Sequence, residues 1–260
     1  MIIITEGQYR FLFEGVKEQG ELRRLVEEVI EKFSSENYSV VYRVKRQLES
    51  GVSIESQFNN DIMGLNEIVD FGSYDVLKDF IMNASVSISF YEGAVWNRGY
   101  YRGENKTVRI RYNQEFEDSL VYQVGLYGEI SSMEAKQILK KAMGISFRST
   151  LIHELQHAYD AYRSGEKYRS DKRSVRYYKE KVDGPMSDLE RSVYLSLPHE
   201  YWARFSQTMA EIFKEGMGFA ELVDKFKSSS IMKFGSLRDG DKRRILKALY
   251  AYWDLHKKLE

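Results

Sequence analysis

The 260-residue chain carries 39 Lys plus Arg against 39 Asp plus Glu, and 43% of it is hydrophobic. A balanced charge leaves no global field to gather nucleic acid or an anionic membrane, and a chain of this length can bury a core as one large domain or two small ones. Zero cysteine excludes disulfides and thiolate-held metal, so any metal must rest on the four histidines and on carboxylates.

Met1-Ile2-Ile3-Ile4 is too short for the apolar part of a secretory signal and has no basic lead. No apolar run is long enough to span a bilayer. The expected location is therefore the cytoplasm, or the inside of a virus particle assembled there, with no signal peptide and no membrane partner.

Thr5 is placed to cap a helix through Tyr9, Leu12 and Phe13. A second helix is predicted over Glu21 to Phe33, where Leu22, Leu25, Val26, Val29 and Ile30 recur at helical spacing. Val40 to Val44 reads as a strand, and Ser50 to Phe80 has no decisive pattern. No functional motif occurs before about residue 84. From there Val86, Ile88 and Phe90 alternate with serines, the signature of a half-buried strand. Glu92 to Glu104 is glycine-rich and aromatic and reads as a connection. Val108, Ile110 and Tyr112 alternate with arginines in a second strand. A helix then runs from Ser131 or Ser132 to about Met143, with Glu134 completing a capping box.

The next predicted helix, about Phe147 to Arg163, holds His153-Glu154-Leu155-Gln156-His157. At 100° per residue, His153 and His157 fall one turn apart on one face, so both imidazoles can reach a single ion. Glu154 falls on the flank of that face, placed to take a proton from water without being a ligand. Leu151, Leu155, Ala158 and Tyr162 form an apolar stripe almost opposite the histidines. The spacing supplies two nitrogen ligands and a proton acceptor, the parts of zinc-assisted hydrolysis.

Residues 163–181 hold eight basic and three acidic residues among several tyrosines. A rim for acidic substrate or phosphate is one reading; a solvated loop and helix face is the plainer one, since short charge runs usually are that. Pro198 then opens a helix whose buried stripe is Trp202, Phe205, Met209, Ile212 and Phe213, with Glu200, Arg204, Gln207 and Glu211 on the other side. Lys227 to Asp241 reads as a loop, followed by a C-terminal helix through Leu246, Leu249, Tyr250 and Trp253. Zinc needs a third protein ligand. His199, His256 and the carboxylates are the candidates.

The run His153-Glu154-Leu155-Gln156-His157 followed by Glu200-Tyr201-Trp202-Ala203 resembles the gluzincin branch of the zincin metallopeptidases, over roughly residues 84–215. HExxH is a specific motif; E-x-x-A is much less so. The resemblance implies zinc held by His153, His157 and Glu200, Glu154 as general base, and a peptide or protein substrate. His199 is the rival third ligand. It also implies an α+β fold in which a small sheet packs on the active helix and offers an edge strand to extended substrate, Val108 to Tyr112 being the candidate. The expected organisation is a mainly helical region over 1–83, a zincin-like metal-binding core over 84–230, and a C-terminal helix over 231–260 packing on that core. No H-x-x-G-x-x-H continuation follows His157, so the metzincin pattern fails, and Arg204 stands where a related E-x-x-x-D pattern has its aspartate. Asp160 is placed to orient an imidazole instead. For the oxyanion, Tyr168, Tyr177, Tyr178, Tyr194, Tyr201 and His199 are candidates. His256 is assigned to structure or surface.

The leading expectation is a zinc-dependent metallopeptidase. The alternative is a zincin-like structural or binding component of a larger assembly such as a phage particle, with a protein assembly partner. The Ile-Thr-Glu start and the HELQHAYD helix are similar to phage-encoded zincins; the intact Glu154 argues for activity. A nucleic-acid module built on residues 163–181 ranks last, because no stacking motif or net basic charge supports it.

Overall fold

A computed structural model describes residues 6–51, 63–69, 71–83, 87–92, 99–102, 106–112, 114–164, 198–214, 216–232 and 234–257. The chain is mostly helical with one small sheet, an α+β architecture at the coarse level. Among the described residues, no helix is long and apolar enough to cross a membrane.

Helix α1 (Glu6–Asn37) joins what the sequence pattern divides into two helices. A helical glycine costs up to about 1 kcal/mol, which suggests a break near Gly20. Burial of Leu22, Leu25, Val26, Val29, Ile30 and Phe33 along one face outweighs that cost and carries the helix through. Helix α2 (Ser39–Ser50) replaces the strand expected at Val40 to Val44. Val40, Val41 and Val44 are all buried, at the spacing of one helical face, so tertiary packing overrides their β-propensity. Gly51, at φ 71°, ends the helix in the left-handed conformation that glycine adopts freely.

The ambiguous stretch after α2 holds strand β1 (Met63–Gly64), helix α3 (Leu65–Ile68), a 3-10 turn at Phe71–Ser73 and helix α4 (Lys78–Asn83). Strands β2 (Ser87–Glu92) and β4 (Thr107–Tyr112) form where alternation predicts them and pair in parallel, Ile88 opposite Val108. Strand β3 (Gly99–Arg102) lies inside the segment read as a connection and pairs antiparallel with β4. The sheet order β1-β2-β4-β3 puts β4 in the interior and β3 at the edge. Among the described residues β1 and β3 are the edges, so Val108 to Tyr112 is not the edge strand expected for substrate. Ile88, Val108 and Ile110 turn into the core.

Helices α5 (Gln114–Gly125) and α6 (Ser132–Ala142) follow, α5 having no counterpart in the predicted elements. The capping box at the start of α6 forms as read: Ser131 accepts from the Glu134 N–H, and Glu134 accepts from the Ser131 N–H at 2.8 Å. Helix α7 (Ile145–Ser164) bears the histidines. Then come α8 (Pro198–Ile212), with Pro198 in the first turn as expected, α9 (Phe219–Ser228), a 3-10 turn at Phe234–Ser236, and α10 (Asp239–Lys257).

Two apolar clusters result. The first runs from Leu22 of α1 to Tyr159 of α7 and so joins residues on both sides of residue 84. The second is built from α8, α9 and α10, with Phe205, Met209, Phe226, Leu249 and Tyr252 inside it. Helix α1 touches both. The Arg23 guanidinium donates to the Met209 carbonyl and stands 5.7 Å from the Phe213 ring and 5.5 Å from the Tyr252 ring.

Candidate metal centre

Helix α7 is a central helix, packed by α1, by α8 and by β3 and β4. Every residue from Leu151 to Tyr159 is buried except His153, which is half-buried. The apolar stripe predicted opposite the histidines packs inward at Leu151, Leu155 and Ala158, whereas Tyr162 is partly exposed. The polar residues Glu154, Gln156 and His157 are buried as well.

His153 Nε2 and His157 Nε2 lie 3.1 Å apart, the rings 4.6 Å between centroids and almost perpendicular. Two bonds of the usual zinc–imidazole length, about 2.0–2.1 Å, would meet over that separation at roughly 100°, close to tetrahedral. The pair therefore fits two ligands of one ion. Glu154 is 6% exposed and His157 7% exposed. Among the described residues, no group of three His, Cys, Asp or Glu side chains is assembled that could hold a metal.

Glu200, the expected third ligand, is carried by α8. This helix runs antiparallel to α7: Ser149 Oγ donates to Glu211 Oε1 at 2.6 Å, and Ser206 Oγ donates to Gln156 Oε1 at 3.1 Å. Ala203, Ser206 and Ala210 repeat along α8, and Ala203 is fully buried. Small residues at that spacing let two helix backbones approach closely. Glu200 belongs to the same helical line as Ala203, Gln207 and Glu211. From Ser206, six residues, about 9 Å of helix, lead back to Glu200, toward the His157 end of the pair. The side chains of His199, Glu200 and His256 lie outside the described part of the molecule.

Other candidates sort by what they touch. The Tyr201 hydroxyl is buried and donates to the Asp241 carbonyl at 2.8 Å, and burial raises its pKa further, so it is committed to α10 rather than to an oxyanion. Tyr168, Tyr177, Tyr178 and Tyr194 lie outside the described residues, as does the basic segment beyond Ser164. Arg204 reaches the Ile231 carbonyl at 3.4 Å, on the second-cluster side of α8, and so parts from Glu211.

The unforeseen feature is a buried polar cluster behind the histidines. Gln156, only 1% exposed, accepts from Gln19 Nε2 at 3.0 Å and from Ser206, and donates to Glu18 Oε1 at 2.8 Å and to Asp160 Oδ1 at 3.1 Å. Arg163 Nη1 lies 3.3 Å from the other Glu18 oxygen. Burial pushes the Glu18 carboxyl up to about 7, opposed by the Gln156 hydrogen bond and reinforced by the Asp160 charge. Burial likewise raises Asp160 to about 6, opposed by its bond to Gln156 and by the charges of His157 and Arg163. The only local hint was polar: Glu18 and Gln19 sit one turn before the apolar run of α1.

Comparison of the chain with protein-family models, with curated proteins and with solved structures finds no match.

Proposed function

We propose that this protein is a zinc-dependent peptidase, with His153, His157 and Glu200 holding the ion and Glu154 acting as general base. The observation that carries the reading is the 3.1 Å separation of the two Nε2 atoms, with an acid between them in sequence. When bound, zinc supplies Lewis acidity that polarises a scissile carbonyl and makes water a better nucleophile at neutral pH. Glu154 accepts the proton of the attacking water on a carboxylate oxygen and returns it to the departing amine nitrogen. Its near-complete burial keeps that transfer in a low-dielectric surround, where a charge-assisted hydrogen bond is stronger than in water. An extended peptide could add to the edge of β3, the strand that flanks α7, through main-chain hydrogen bonds.

The test is the metal content of the purified protein and of its Glu200→Ala and Glu154→Gln variants, measured by elemental mass spectrometry beside hydrolysis of a fluorogenic peptide library. Near-stoichiometric zinc, lost in Glu200→Ala and kept without turnover in Glu154→Gln, supports the reading. Zinc retained in Glu200→Ala moves the third ligand elsewhere, His199 first. Absence of zinc from the wild type after it is offered refutes the peptidase and favours a structural component of a larger assembly.

A further inference from the structure

We propose that the substrate is an acidic peptide, an extended chain whose carboxylates alternate in step with an arginine-bearing face of the sheet. Successive residues of a strand fall on opposite faces. Ile88, Val108 and Ile110 are buried in the apolar cluster that α7 also enters, and α7 packs on β3 and β4, so theirs is the face that α7 covers. The alternate residues fall on the other face. There Tyr100 pairs with Arg109 and Arg102 with Thr107 across β3 and β4, and Tyr91 pairs with Arg111 across β2 and β4. The remaining positions of β2, β3 and β4 on this face are serines, so arginine stands at three of them and an acid at none. In a chain whose basic and acidic residues balance at 39 each, that is a local departure. Arg109 and Arg111 are two residues apart on one strand, about 6.6 Å, and an anion laid over such a pair of cations relieves their repulsion.

This inference rests on the peptidase reading and adds the substrate class to it. Among the described strands β3 is an edge, and it packs on α7, the helix of the histidines. A peptide laid along β3 takes main-chain hydrogen bonds from that edge, and its side chains alternate between the α7 face and the arginine face. On the arginine face its residues neighbour positions 100 and 102 at about 5 Å between Cβ atoms, and β4 lies one strand spacing, about 4.8 Å, further in. Every second peptide residue thus falls beside positions that hold arginine, whose planar guanidinium pairs with a carboxylate through two N–H donors. The residues between them fall on the side of α7. A nucleic acid matches the charge but brings no strand hydrogen bonds to the edge, so the placement favours a peptide.

Binding is measured by fluorescence anisotropy on the Glu154→Gln protein, so that no cleavage intervenes. The labelled peptides are of equal length: threonine alternating with glutamate, threonine alternating with lysine, and an isomer of the first with its glutamates in one block. The alternating acidic peptide should bind about tenfold tighter than the lysine peptide, the sum of a few exposed ion pairs, and tighter than its block isomer. Arg102→Glu should abolish the preference and Arg102→Lys should keep part of it, both with native circular dichroism. If Arg102→Glu does not fold, Arg111→Glu decides. Equal binding of acidic and basic peptides, no binding of the acidic peptide, or a preference unchanged in the folded charge-reversal variant overturns the proposal. An oligothymidylate of equal charge that binds tighter than the peptide, and is lost in the same variants, overturns it as well and assigns the face to nucleic acid. Acidic preference in a protein that holds no zinc and cuts nothing defeats the peptidase reading while the arginine face keeps its ligand; zinc-dependent hydrolysis without acidic preference does the reverse.

Discussion

Replacing Glu18 by Gln should stabilise the protein, and more so at higher pH. The Glu18 carboxyl is 8% exposed, and burial raises it from 4.5 to about 7. Its folded-state pKa lies above the unfolded value, so between about 4.5 and 7 the folded protein holds a proton that the unfolded chain has released. Its contribution is therefore fully present below 4.5 and lost as pH rises through 7. At 1.36 kcal/mol per pH unit, that rise corresponds to about 3 kcal/mol at pH 8. Glutamine stays neutral and removes this loss, but it also gives up the charge partner of Arg163, whose side chain is more than half exposed, a loss of about 1 kcal/mol. Glu18→Gln should thus exceed the wild type by about 1–3 kcal/mol at pH 8 and come within about 1 kcal/mol of it at pH 5. Urea denaturation from pH 5 to 8, in chelator so that metal linkage stays out, measures the difference directly. A constant offset across that range, or a wild type more stable at pH 8, refutes the reasoning that Glu18 is buried among acids.

Ala203→Leu should cost about 1–3 kcal/mol by overfilling the seam between α7 and α8; a loss below about 0.5 kcal/mol in chemical denaturation would mean that the helices are not in close contact there. Tyr201→Phe should cost about 1 kcal/mol for the lost bond to the Asp241 carbonyl, with zinc content and turnover unchanged. A drop in turnover alone would restore Tyr201 as an oxyanion donor. Ser131→Ala should destabilise by about 0.5–1 kcal/mol, seen in the thermal melt, because it removes the capping acceptor for the Glu134 N–H.

What could be read from the sequence was local. The His153–His157 pair depends on one turn of helix, and the capping box of Ser131 and Glu134 on three residues, so each follows from spacing. Val40 to Val44 misleads because β-branched residues favour strands only when no helix face awaits them, and here a buried one does. Strand β3 is missed because Gly99-Tyr100-Tyr101-Arg102 has no alternation; its pairing with β4 makes it a strand. That pairing also moves the sheet edge away from Val108 to Tyr112, since order in a sheet is a property of the whole chain. The Gln156 cluster is the extreme case. Its partners lie 137 and 138 residues before it and 50 after, and no periodicity links them.

Arg23 on α1 meets Met209, Phe213 and Tyr252, the first of these 186 residues away. On the ribosome, α1 emerges before α8 and α10, so this part of its surface has no partner until those helices have been made. Loop closure over such a span is slow, and the exposed face is sticky meanwhile. Helix α1 is thus finished only when α10 arrives, and nascent-chain release before α10 is out should leave its Arg23 face accessible to protease.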